Sequence, residues 1–138
     1  MNLLKNVSMQ MPILYNTETS STSLVVDMMG YEGVMFVLQT GTSGSTAITM
    51  HIESGSSSGM GDMVDMTGTS IISTSTGRSA VASDFYKPPY RYVRPVVIAT
   101  TESAYSVLAV KYGARALPTS QTTDITDDEV NVGSSGTV

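Results

Sequence analysis

Ile48, Met50 and Ile52 alternate with Thr49, His51 and Glu53. Successive side chains of an extended chain point to opposite sides, so this period of two marks a strand with one buried and one wet face. Upstream, Val34, Met35, Phe36, Val37 and Leu38 are apolar at every position, which reads as a central strand buried on both faces. No stretch carries a 3.6-residue repeat. The composition agrees, because 38 Ser and Thr together with 12 Gly outnumber the strong helix formers Ala, Glu, Lys and Gln.

Turn signals divide the rest of the chain into further short strands. Residues 24–26 form one, and residues 63–66 with 69–75 form a weakly patterned pair. Residues 79–86 lead to a proline corner and residues 90–100 leave it. A tight turn at 101–103 then joins residues 90–100 to 105–112 as an expected hairpin. In that last strand Ser106, Leu108, Val110 and Tyr112 share one face, while Tyr105, Val107, Ala109 and Lys111 share the other. About eight short antiparallel strands with turns roughly every ten residues describe an all-β fold, a jelly-roll-like β-sandwich with extended terminal arms. The 138 residues divide into an N-terminal segment 1–23 (an arm or a first strand), a sandwich domain 24–117 and a polar, acidic C-terminal arm 118–138.

Several kinds of chemistry find no support. The chain has no cysteine, which removes disulfides, thiolate metal sites and cysteine nucleophiles. Residues 1–15 lack the uninterrupted apolar core of a secretory signal, and no apolar run approaches the ~20 residues of a membrane-spanning helix, so a soluble, unexported protein is expected. Gly55-Ser56-Ser57-Ser58-Gly59 matches G-x-S-x-G, yet Gly61-Asp62 follows where a helix is needed, and the only histidine, His51, comes earlier. Ser57 therefore reads as part of a loop. His51 has no second histidine to share a metal, the tail acids lack the order of a calcium loop, and the glycines of 55–61 precede no phosphate-loop lysine. We expect no enzyme, no cofactor, no metal and no small-molecule substrate.

What the sequence does concentrate is sticky surface. The thirteen residues 85–97 hold three of seven tyrosines, three of five prolines and three of seven cations, in a chain of net charge -5. Tyrosine and arginine dominate protein interfaces, so Tyr86, Pro88, Pro89, Tyr90, Arg91, Tyr92 and Arg94 are the expected partner interface. The half from Val93 to Val97 is apolar on both faces and belongs to the core, with Pro95 marking a bulge or an edge. Six of the seven cations lie between Arg78 and Arg115, whereas Asp124, Asp127, Asp128 and Glu129 sit in a tail without a cation. Arg78, Lys111 and Arg115 are thus expected to receive the acidic arm of a neighbouring copy. With a pI near 4.5 and no recognised aromatic signature, neither nucleic acid nor membrane is an expected partner.

Three stretches resemble one family: VDMMGYEGVMFVL at 26–38, RYVR at 91–94 and VKYGARALP at 110–118. They are similar to the small β-proteins of tailed bacteriophages that act as capsid cement, or decoration, proteins. The resemblance covers nearly the whole chain. It implies a jelly-roll-like subunit, made in the reducing cytoplasm of the bacterial host and assembled as a homotrimer on the outer capsid surface of the virion. There its arms would bridge subunits of the major capsid protein. Two other roles compatible with the residues are a neck or tail component and an appendage that binds host carbohydrate through tyrosines.

Overall fold

A computed structural model describes residues 3–16, 19–41, 47–73, 79–117, 119, 121–122 and 125. After a single 3-10 turn, Leu3–Lys5, come β1 (Ser8–Asn16), β2 (Ser20–Thr22), β3 (Val26–Asp27), β4 (Gly33–Thr40) and β5 (Ile48–Gly55). They are followed by β6 (Val64–Asp65), β7 (Ile71–Ser73), β8 (Ser79–Tyr86), β9 (Tyr92–Ala99) and β10 (Tyr105–Tyr112). These build two antiparallel sheets. Sheet A has the order β1-β10-β4-β8, and sheet B the order β2-β9-β5-β6, with β3 also on β9 and β7 also on β5.

The pairing is that of one long hairpin rolled into a barrel-like sandwich. The first strand pairs with the last, β2 and β3 with β9, β4 with β8, and β5 with β6 and β7. Because β2 and β3 lie end to end on β9, and β6 and β7 end to end on β5, the ten segments are eight strands in jelly-roll order.

The inner faces meet in a single core. Sheet A contributes Ile13, Val34, Phe36, Leu38, Tyr105, Val107 and Ala109, and sheet B contributes Val26, Ile48, Met50, Ile52, Val93, Val97 and Ala99. Each fully buried aliphatic or aromatic side chain of this kind contributes roughly 1.5–3 kcal/mol. The alternation of 48–52 is realised as expected: Ile48, Met50 and Ile52 are buried, and Thr49 and His51 are half-buried on the outside.

Two expectations are corrected. Residues 90–100 and 105–112 do not form a hairpin, because β9 lies in sheet B and β10 in sheet A. Val93, Val97 and Ala99 of one strand and Tyr105, Val107 and Ala109 of the other face the same core from opposite sheets instead of side by side. Nor is β4 buried on both faces. Val34, Phe36 and Leu38 are wholly inside, but Met35 and Val37 remain half-exposed on the outer surface of sheet A.

Pro95 occupies an interior strand without disrupting it. It stands opposite Ile52, whose own N–H and C=O turn away from β9 toward Thr69 Oγ1 (3.0 Å) and Met66 N (2.9 Å). In a non-hydrogen-bonded antiparallel pair the two members turn away from each other, so the imide nitrogen of Pro95 faces the break between β2 and β3, where no ladder donor is needed. Ser23 Oγ closes that break by donating to Pro95 O at 2.6 Å.

The terminal segments meet along the edge of sheet A. Residues 8–16 of the N-terminal segment are strand β1, and Gln121 and Thr122 run beside it. Gln121 Oε1 accepts from Met9 N (2.8 Å), Thr122 Oγ1 donates to Met9 O (2.7 Å), and Thr119 Oγ1 donates to Val7 O (2.6 Å). Side chains thus occupy backbone groups that an exposed edge would offer to other strands.

Candidate functional site

At one end of the sandwich the β3–β4 connection, the β8–β9 connection and the residues after β10 enclose a cleft of about 410 Å³. Its lining includes Met28, Met29, Tyr31 and Glu32 from the first, Lys87, Pro88, Pro89, Tyr90 and Arg91 from the second, and Arg115 from the third. The register brings these loops together. Val26 pairs with Val93 and Asp27 with Tyr92, so the residues after β3 lie against those before β9.

Asp27 fixes the joint. Its carboxylate accepts from Arg91 Nε and Nη2 (2.9 and 2.8 Å) and from Met29 N (2.9 Å), while Arg91 O accepts from Met28 N (2.8 Å). The Arg91 hydrogen bond, helped by that from Met29 and opposed by partial burial, holds the Asp27 carboxyl below the usual carboxylate range. Further backbone bonds tie the loops at Lys87 N to Glu32 O (2.8 Å), Glu32 N to Tyr112 O (3.0 Å) and Arg115 N to Gly30 O (2.9 Å). Lys87 turns the chain into the two prolines with φ of 52°, a left-handed backbone that costs a non-glycine residue roughly 1–2 kcal/mol.

The expected interface residues divide three ways. Pro88, Pro89, Tyr90 and Arg91 form one wall of the cleft, with Tyr90 43% exposed. Tyr86, 55% exposed, instead belongs to the outer face of sheet A, in one cross-strand row with Gly33 and Tyr112. Tyr92 and Arg94 lie on the outer face of sheet B. The Arg91 guanidinium sits 5.0 Å from the Tyr92 ring, and Arg94 Nε donates to Glu53 Oε2 at 2.6 Å. Arg94 is therefore already engaged within the subunit.

Of the cations expected to receive a neighbour's arm, Arg115 is exposed in the cleft, and among the described residues no carboxylate pairs with it or with Lys87. Lys111 is inside the subunit. It is 8% exposed, with its ammonium 4.6 Å from the Tyr31 ring centre and 3.4 Å from Asp27 O. Burial lowers its pKa, partly offset by the Asp27 charge. Arg78, Asp124, Asp127, Asp128 and Glu129 lie outside the described residues.

Tyr112 sits behind the cleft and donates to Asp84 Oδ1 at 2.6 Å. Burial and that bond push its phenol up to about 12. Its ring crosses Gly33 so closely that a Cβ there would overlap it, which is why β4 begins with glycine.

A second polar group occupies the outer face of sheet B. His51 Nε2 lies 3.5 Å from Asp65 Oδ1 and 3.9 Å from Glu53 Oε1. These three could surround a cation, but Arg94 already neutralises Glu53. Sequence reasoning placed Glu53 beside His51 and missed Asp65, which arrives through the Glu53–Asp65 cross-strand pair. In the β5–β6 loop, Asp62 accepts from the amides of Ser56 and Ser57 and from the Ser56 hydroxyl. Ser57 is exposed there, and His51 faces the carboxylates of Glu53 and Asp65.

Met28, Met29, Tyr31 and Glu32 were not anticipated as cleft residues. The available signal was Gly30, whose φ of 85° turns the chain between an Asp-Met-Met run and Tyr31.

No protein-family model and no curated protein matches this sequence. Solved structures do share the fold. The crystal structure of the SPBc2 prophage-derived protein YomS aligns over 77% of this chain and 92% of YomS, with a TM-score of 0.56 and 11% identity. That of the PBSX exported protein XepA aligns over 100% of this chain at TM-score 0.54 and 17% identity. This chain spans 43% of the XepA chain.

Proposed function

We propose that this chain is a structural protein of a tailed-phage virion, a capsid cement protein that grips the outer shell through its end cleft. The observation that carries the reading is the cleft itself. Two tyrosines, two prolines and two methionines surround Lys87 and Arg115, two cations without a carboxylate partner among the described residues. Aromatic anchors around cations without a carboxylate partner suit an acidic, apolar-tipped loop of another protein. The fold it shares with the prophage-derived protein YomS and the residue resemblance to cement proteins support the phage context.

The physics of the role fits the chain. A cement protein needs a broad contact surface on a rigid β scaffold and no reaction centre. Several corners presented by one oligomer would multiply a modest affinity. Adding the purified protein to shells stripped of it should raise the temperature at which they open. Tyr90→Ala with Arg115→Ala should lower occupancy while preserving the fold, and unchanged occupancy would sink the assignment of the cleft.

A carbohydrate-binding appendage is the second reading. Tyr31 and Tyr90 share a cleft whose size suits a small ligand. Glycan-array binding abolished by Tyr90→Ala would favour it over cement.

A further inference from the structure

Sheet A has a largely apolar outside. Antiparallel sandwiches ordinarily turn polar residues outward, and sheet B mixes Thr49, His51, Glu53 and Arg94 with Val96, Ile98 and Ile72. On sheet A one cross-strand row reads Met9, Val110, Met35 and Asp84, and the next Leu108, Val37 and Ala82. Leu14, 64% exposed, flanks them on β1. The single charge among its described residues, Asp84, accepts from Tyr112, and Ser106 Oγ donates to Gln39 Oε1 at 3.3 Å. The polar groups of this face are thus occupied with one another.

The five-residue apolar run of β4 belongs to this picture. Val34, Phe36 and Leu38 fill the core, whereas Met35 and Val37 lie half-exposed on the outside. Their outward face is a surface that water solvates poorly.

We propose that the outer face of sheet A docks on a second copy of this chain, sheet against sheet. Four strands about 4.8 Å apart and eight residues long offer about 500 Å² per copy. Two copies would bury about 1,000 Å², the lower bound for a specific interface. Like faces are compatible because almost no charge opposes itself. A two-fold axis in the plane of contact, whether along or across the strands, carries Asp84 away from its own counterpart. The sheets would then stack about 10 Å apart, as the two sheets of the subunit do. This contact rests on no property of the cleft, which lies at the end of the sandwich.

Sedimentation equilibrium of the full chain at about ten and about one hundred micromolar tests it, together with Val37→Lys and Ala82→Lys. Ala82 is exposed, so the second variant will fold even if the first does not. The wild type is expected at twice the mass of each folded variant, in which the dissociation constant of this contact is raised at least about 100-fold. A wild-type monomer overturns the proposal, and so does a dimer that both variants retain. Shell binding by a monomeric Ala82→Lys protein would show the cleft acting without this face, so the two assignments fail separately.

Discussion

Replacing Asp27 should loosen the cleft far more than it destabilises the sandwich. Asp27 makes two hydrogen bonds to Arg91 and one to Met29 N, all at a joint where both side chains are nearly half exposed (45% and 47%). An exposed ion pair is worth about 0.2–1 kcal/mol, bidentate geometry placing this one near the top. The turn bond to Met29 N adds about 1 kcal/mol. Asp27→Ala should therefore cost about 2 kcal/mol, and Asp27→Asn, which keeps an acceptor for Met29, about 1 kcal/mol. Urea titration followed by circular dichroism reads both. At the same time, carboxyl titration by NMR should find Asp27 below 3.8 in the wild type and nearer that value in Arg91→Ala. The sign is fixed by linkage: a depressed carboxyl stabilises the fold above 3.8, and that contribution fades as pH falls through the folded value. Loss of more than about 4 kcal/mol in Asp27→Ala would mean that the joint is part of the core. No loss, with an unshifted carboxyl, would mean that Arg91 does not hold it.

Other consequences follow from single contacts. Gly33→Ala should drive the Tyr112 ring off its site and cost about 2 kcal/mol, and pairing it with Tyr112→Ala should recover much of that loss in thermal melts. Glu53→Ala strands the half-buried Arg94 guanidinium and should cost about 2–3 kcal/mol, whereas Glu53→Met with Arg94→Met should cost less than the single change. Tyr112 keeps its proton in the fold up to about 12, against 10.0 unfolded, so its contribution is complete below pH 10 and declines between those values. Tyr112→Phe should flatten that decline in urea midpoints. Lys111 acts in the opposite direction, since its lowered pKa makes stability rise with pH up to 10.5.

Local alternation was enough to find most strands, and long-range pairing explains what it missed. Ile48, Met50 and Ile52 alternate with polar neighbours, so β5 and its buried face were legible. Residues 100–104 have the length of a hairpin turn, and nothing in their types reveals that they cross between sheets. The run 34–38 signalled burial on both faces because an apolar residue reads the same whether its strand face turns to the core or to the surface. The proline corner stood out by composition, but Met28 to Glu32 joined it only through the Val26–Val93 register. Lys111 carried its own clue, since it shares a strand face with Tyr105, Val107 and Ala109, all buried.

The central claim, a cement protein on a phage shell, is tested most directly by its copy number in purified particles, counted by quantitative mass spectrometry against the major capsid protein. Shell decoration predicts on the order of hundreds of copies, in fixed proportion to the capsid subunits. Copies numbering about six or twelve would move the protein to the neck or tail, and particles without it would contradict the account.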